Sequence, residues 1–70
     1  MDRQEIQRLE AYLRRTFKLT AISVRARPRK DDSAEVMVGD EFIGLIFKDE
    51  EEGELSYNFN MAILDIDLEE

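Results

Sequence analysis

Ala34-Glu35-Val36-Met37-Val38-Gly39-Asp40-Glu41-Phe42-Ile43-Gly44-Leu45-Ile46-Phe47-Lys48 is the stretch whose reading decides the fold. Two apolar runs flank Gly39-Asp40, and a two-residue, glycine-led connection between such runs is the signature of a hairpin with a primed turn. That turn pairs Val38 with Glu41, and an unbroken ladder then pairs Val36 with Ile43 and Ala34 with Leu45, all on one face. On the opposite face the same register leaves Met37, Phe42 and Ile46.

Working outward, Thr20 to Arg27 alternates with period two, Ile22, Val24 and Ala26 against Ser23, Arg25 and Arg27, which predicts a half-buried strand. It fits the hairpin if Ala26 pairs with Ala34, Val24 with Val36 and Arg25 with Glu35. Pro28-Arg29-Lys30-Asp31-Asp32 reads as the loop between them, because proline has no N–H for a ladder and Asp bonds to its own backbone. On the other side Asp49-Glu50-Glu51-Glu52-Gly53 is a loop, and Glu54 to Asn60 is a fourth strand with Leu55, Tyr57 and Phe59 on one side. Pairing Lys48 with Glu54 sets Phe47 opposite Leu55, Leu45 opposite Tyr57 and Ile43 opposite Phe59. The expected core face is therefore Ile22, Val24, Val36, Val38, Ile43, Leu45, Phe47, Leu55, Tyr57 and Phe59.

Residues 2–17 carry Ile6, Leu9, Leu13 and Phe17 at helical spacing. Asp2 and Glu5 form a D-x-x-E capping pattern, and Arg14, Arg15 and Lys18 lie where the helix dipole favours cations. The expectation is an α+β fold with one domain over residues 1–70: an N-terminal helix on a four-stranded antiparallel meander, followed by an extra strand or short helix. Met61, Leu64 and Leu68 fit a helical stripe, but the alternation of Leu64, Ile66 and Leu68 with acids favours strand. Gly39 serves the turn; Gly44 either weakens its strand or admits a close neighbour on the outer face.

Composition narrows the function. At 70 residues a single core only just offsets chain entropy, so tight packing or association is expected to help. The chain has no Cys and no His, which removes disulfides, thiolate sites and the commonest general base and zinc ligand. Its serines and threonines have no histidine to activate them, and one helix on one sheet offers little cleft for paired carboxylates, so a non-enzymatic protein without cofactor is expected. The N-terminus is charged and no apolar run approaches the ~20 residues that span a bilayer, which predicts a soluble cytoplasmic protein. Charge is segregated: residues 1–30 hold nine Lys and Arg against three Asp and Glu, a net +6, and residues 31–70 hold one against fourteen, a net −13.

Three candidate sites follow. One helix covers one face, so Met37, Phe42 and Ile46 on the other, with Arg25 and Arg27 at the rim, predict an interaction surface for a second copy of the chain or another protein, unless the C-terminal segment covers it. Arg14, Arg15, Lys18, Arg27, Arg29 and Lys30 are the alternative, a phosphate-binding set for nucleic acid. Against it stand the net charge of −7 and the lack of aromatics interleaved with the basic residues other than Tyr12; internal pairing of these arginines is the favoured account. The acidic loop Asp49 to Glu54 offers carboxylate oxygens to a hard cation but lacks EF-hand spacing, so a solvated loop is favoured and no metal site is assigned.

The strings EAYLRRTF (residues 10–17), RPRKDDSAEV (27–36), GDEFIG (39–44) and SYNFNMAILDIDL (56–68) resemble a family of short bacterial proteins catalogued as a domain of unknown function, number 3126. The resemblance spans nearly the whole chain. It implies a stand-alone cytoplasmic domain of about this length and brings no activity, ligand or catalytic residue. Where a turn of Gly-Asn-Pro type is expected after Phe17, this chain has Lys18-Leu19-Thr20.

Overall fold

A computed structural model describes residues 1–69. It contains one helix, α1 (Arg3–Phe17), and four strands, β1 (Ile22–Arg27), β2 (Lys30–Val38), β3 (Glu41–Asp49) and β4 (Ser56–Asn60). The strands lie in the order β1-β2-β3-β4, each antiparallel to the next, which is the expected meander.

The helix starts where its capping residues dictate. Asp2 Oδ1 accepts from the Glu5 N–H at 2.8 Å, and Glu5 Oε1 accepts from the Asp2 N–H at 3.2 Å, so two otherwise orphaned donors are satisfied. It stops at Lys18, which takes the left-handed conformation (φ 54°) and donates its N–H to the Arg14 carbonyl. Lys18 thus fills a position usually given to glycine.

Between β1 and β2 the expected pairs Val24–Val36, Arg25–Glu35 and Ala26–Ala34 all form. The expected five-residue loop does not. Arg27 pairs with Lys30 around a turn at Pro28-Arg29, and the ladder resumes only at Ala34, so Asp31, Asp32 and Ser33 form an irregular start to β2.

The next hairpin carries the main correction. Gly39 takes φ 59° in the turn, and Val38–Glu41 and Met37–Phe42 pair as expected, but the ladder then shifts by one residue, to Val36–Gly44, Glu35–Leu45 and Ala34–Ile46. Ile43 is an extra residue, a bulge, and a one-residue slip exchanges the two faces of everything beyond it. Ile46 therefore faces the helix and is 2% exposed, not part of the outer surface. Leu45 and Phe47 leave the core face for the outer one.

A second shift follows. Asp49 pairs with Ser56, Phe47 with Asn58 and Ile46 with Phe59, three residues away from the expected register, because the connection holds a 3-10 turn at Glu51–Gly53 with Glu52 and Gly53 at positive φ. Tyr57 and Phe59 still face the helix. Leu55 precedes β4 and is exposed. After Asn60 the chain forms not the favoured extra strand but the alternative, a short helix, of 3-10 type, Asp65–Leu68.

Leu13, Ile22, Val24, Ala34, Val36 and Ile46 form the core, with Ile6, Leu9, Val38, Ile43, Tyr57 and Phe59 packed around it. Three gaps of ~4.8 Å between strands exceed the ~10 Å girth of one helix. Accordingly α1 packs chiefly against β1, and the β3–β4 half of the inner face is only partly covered.

Candidate interaction surfaces

The outer face of the sheet carries the first surface. By register, Ser23, Met37 and Phe42 form one row across it, Arg25, Glu35, Leu45 and Asn60 the next, and Ser33, Phe47 and Asn58 a third. Met37 is only 8% exposed whereas Phe42 is 53% exposed; Leu45 and Phe47 are half-buried. The outer face thus carries Phe42 exposed, Leu45 and Phe47 half-buried and Met37 almost fully buried, and Ile46 is not on it. Arg25 is exposed beside it. Arg27 is tied down, its Nη1 donating to Ser33 Oγ at 2.9 Å. Sequence reasoning missed Leu45 and Phe47 because the bulge at Ile43 leaves no mark on composition.

The basic residues are divided rather than gathered. Arg14 Nε donates to the Ile22 carbonyl at 2.7 Å and its Nη2 lies 3.6 Å from Glu10 Oε2, so this arginine ties the helix end to β1. The Arg15 guanidinium lies 5.6 Å above the Tyr12 ring, a cation–π arrangement. Lys18 caps the helix, and Arg29 and Lys30 are exposed at the β1–β2 turn. In the acidic loop, Asp49 Oδ1 accepts from the Glu51 N–H at 2.9 Å and Glu50 lies 3.4 Å from Lys48 Nζ. Among the described residues no three carboxylates converge on a metal position.

Glu5 joins the helix to the far half of the sheet. Its Oε2 accepts from the Tyr57 hydroxyl at 2.6 Å and lies 2.8 Å from Lys48 Nζ, while Oε1 completes the helix cap. Lys48 and Tyr57 are cross-strand partners on the helix side. The hydrogen bond to Lys48, then that to Tyr57, then the Asp2 N–H hold the Glu5 carboxyl down from its ordinary 4.5 to about 2. The same contact with Glu5 raises Lys48. Because the folded state holds Glu5 ionised, its contribution is full above pH 4.5 and is lost as pH falls toward 2. Glu5→Gln is therefore expected to lower stability near neutrality by roughly 1–2 kcal/mol, discounted for partial solvent exposure, and to flatten the acid limb. Urea midpoints measured between pH 6 and pH 2.5 check both effects.

Above the uncovered half of the inner face lies a groove. Leu9, Tyr12 and Leu13 of α1 and Ile46, Tyr57 and Phe59 of the sheet enclose a cavity of about 350 Å³. It adjoins a second hollow of about 410 Å³ that shares Leu9, Tyr12 and Tyr57 and is bordered by Glu5, Arg8 and Arg15. Phe17 of the helix packs beside Phe59, with ring centroids 6.4 Å apart. The helical spacing of Leu9 and Leu13 was legible as a core stripe; that the stripe overhangs an open floor was not.

Residues 5–67 match the family described as Protein of unknown function (DUF3126). The chain belongs to that family. No curated protein and no solved structure matches it.

Proposed function

We propose that this member of a family of unknown function is a non-enzymatic protein–protein interaction module, and that it pairs with a second copy of itself through the outer face of its sheet. The observation that carries the reading is Phe42, 53% exposed on a face where Leu45 and Phe47 continue the apolar surface as half-buried side chains. Two such faces stack as a sandwich about 10 Å apart, with the helices outermost. Arg25 and Glu35 are neighbours on this face, so a two-fold axis can set each against its opposite on the other copy and fix the orientation.

Size-exclusion chromatography with light scattering tests it. The chain is expected to run as a dimer at micromolar concentration, and Phe42→Asp as a monomer with unchanged circular dichroism, because an exposed side chain contributes little to the fold. A soluble wild-type monomer at that concentration sinks the reading. Nucleic-acid binding has weaker support, since Arg14 and Arg27 are engaged within the chain and the net charge of −7 repels a polyanion.

A further inference from the structure

We propose a second interaction surface, on the opposite side of the sheet from the first: the groove between α1 and β4 receives the C-terminal tail of another copy of the chain. Two features fit each other. The groove has an apolar floor of Leu9, Leu13, Tyr57 and Phe59 and a rim bearing Arg8 and Arg15, neither of which forms an ion pair among the described residues. Glu5, the acid at that rim, is neutralised by Lys48 at 2.8 Å, so the local sign is positive.

The tail supplies the complement. Ile63, Leu64, Ile66 and Leu68 are between 60% and 69% exposed, which is unusual for four large aliphatic residues within six positions. They alternate with Asp65, Asp67 and Glu69, so the segment offers apolar side chains and negative charge together. Its turn is already formed, with Asp67 Oδ2 accepting from the Leu64 N–H at 2.9 Å, and a preorganised segment loses less entropy on docking. The tail leaves β4 next to Glu41, Phe42 and Ile43, with which Met61, Ala62, Ile63 and Asp67 border a common hollow. That hollow lies at the start of β3, away from the groove, so the tail is presented to a neighbouring molecule rather than folded onto its own helix. The contact is small, so by itself it joins copies only above the micromolar concentrations at which the outer-face pairing is tested.

A fluorescently labelled peptide of residues 61–70, added to the full-length chain, tests the fit without reference to the outer face. Asp65→Lys/Glu69→Lys chain has a disabled tail and an intact groove, and is expected to bind the peptide. Arg8→Glu/Arg15→Glu chain is expected to bind at least about tenfold more weakly at low salt, since two attractions become repulsions. A peptide carrying Lys at positions 65 and 69 should reverse this order. Phe42→Asp chain should bind like wild type, which separates failure here from failure of the outer-face pairing. The substituted side chains are exposed, so the variants fold. No binding to the disabled-tail chain, or binding indifferent to Arg8 and Arg15, overturns the proposal. So does a monomeric wild-type chain that excludes the peptide while the disabled-tail chain accepts it, because the tail then occupies its own groove.

Discussion

Ile46→Asp is expected to abolish folding, while Phe42→Asp, four residues away on the same strand, leaves the melting temperature within a few degrees of wild type. Ile46 is 2% exposed at the centre of the core, and removing it forfeits roughly 2–3 kcal/mol of apolar burial. A carboxylate in its place has no partner in reach and costs about 2–7 kcal/mol more, or holds a proton and remains a buried polar group. The sum matches the ~4–10 kcal/mol expected for the whole stability of a chain this size. Ile46→Ala should cost about 2–4 kcal/mol and leave a folded chain on which the effect can be measured. Leu45→Asp and Phe47→Asp decide the register: an unbroken hairpin places both in the core and Ile46 outside, whereas the bulge at Ile43 predicts that each is milder than Ile46→Asp. Thermal melts of the four Asp variants give the order, and a folded Ile46→Asp chain with Leu45→Asp unfolded would mean that no bulge exists.

The bulge was not legible for a definite reason. Alternation reveals the phase of a strand only when one face is polar, and Phe42-Ile43-Gly44-Leu45-Ile46-Phe47 has no polar residue to mark the faces. The Gly39-Asp40 turn fixed the register at its own end, and nothing along β3 signalled the slip. The second shift had a different origin. Asp49 to Glu54 looks like a plain acidic loop, but positive φ at Glu52 and Gly53 folds it into a compact turn that moves β4 by three residues. Both shifts are odd, so their effects on face cancel, and Tyr57 and Phe59 face the helix although neither neighbour of theirs was foreseen. The helix, its cap and the β1 register were legible because each rests on local chemistry: Asp2 and Glu5 for the cap, the strict alternation from Ile22 to Arg27 for the strand.

The surfaces divide in the same way. Phe42 follows from its nearness to the turn, whereas Leu45 and Phe47 depend on the bulge. Glu5 was legible as a capping residue but not as the partner of Lys48 and Tyr57, which come from more than 40 positions further along the chain. The groove had one available signal. A single helix cannot span four strands, so part of the inner face had to remain open, and Tyr12 on the helix flank was the residue to mark its edge.

Gly44→Ala is expected to be the most damaging conservative change in the sheet. The backbone of Gly44 does not take positive φ, so its glycine answers a need for space. A methyl group there runs into the carbonyl oxygen of Asn60 and comes within 2.7 Å of Phe59 Cε1. The Phe59 ring can turn aside, but the Asn60 carbonyl belongs to the backbone that pairs with Leu45 and has no such freedom. Since β4 is an edge strand, paired in the sheet only with β3, the end of β4 is what must yield. Phe59 then loses its packing against Phe17, and overpacking of this kind costs about 1–3 kcal/mol. In a domain of this size that lowers the melting temperature by roughly 5–20 °C. In an open strand the same substitution would instead stabilise by about 0.5–1 kcal/mol, because alanine loses less backbone entropy than glycine, so the sign of the effect is diagnostic. Calorimetry at matched protein concentration gives that sign, and amide exchange should show protection lost at Phe59 and Asn60 while Val24, Val36 and Ile46 retain theirs. A stabilised Gly44→Ala chain would mean that β4 does not lie where Leu45 pairs with Asn60. The substitution also reaches the groove, since Phe59 lines its floor: a chain with β4 displaced should bind the tail peptide more weakly even with Arg8 and Arg15 intact, tying the strand register directly to the second interaction surface.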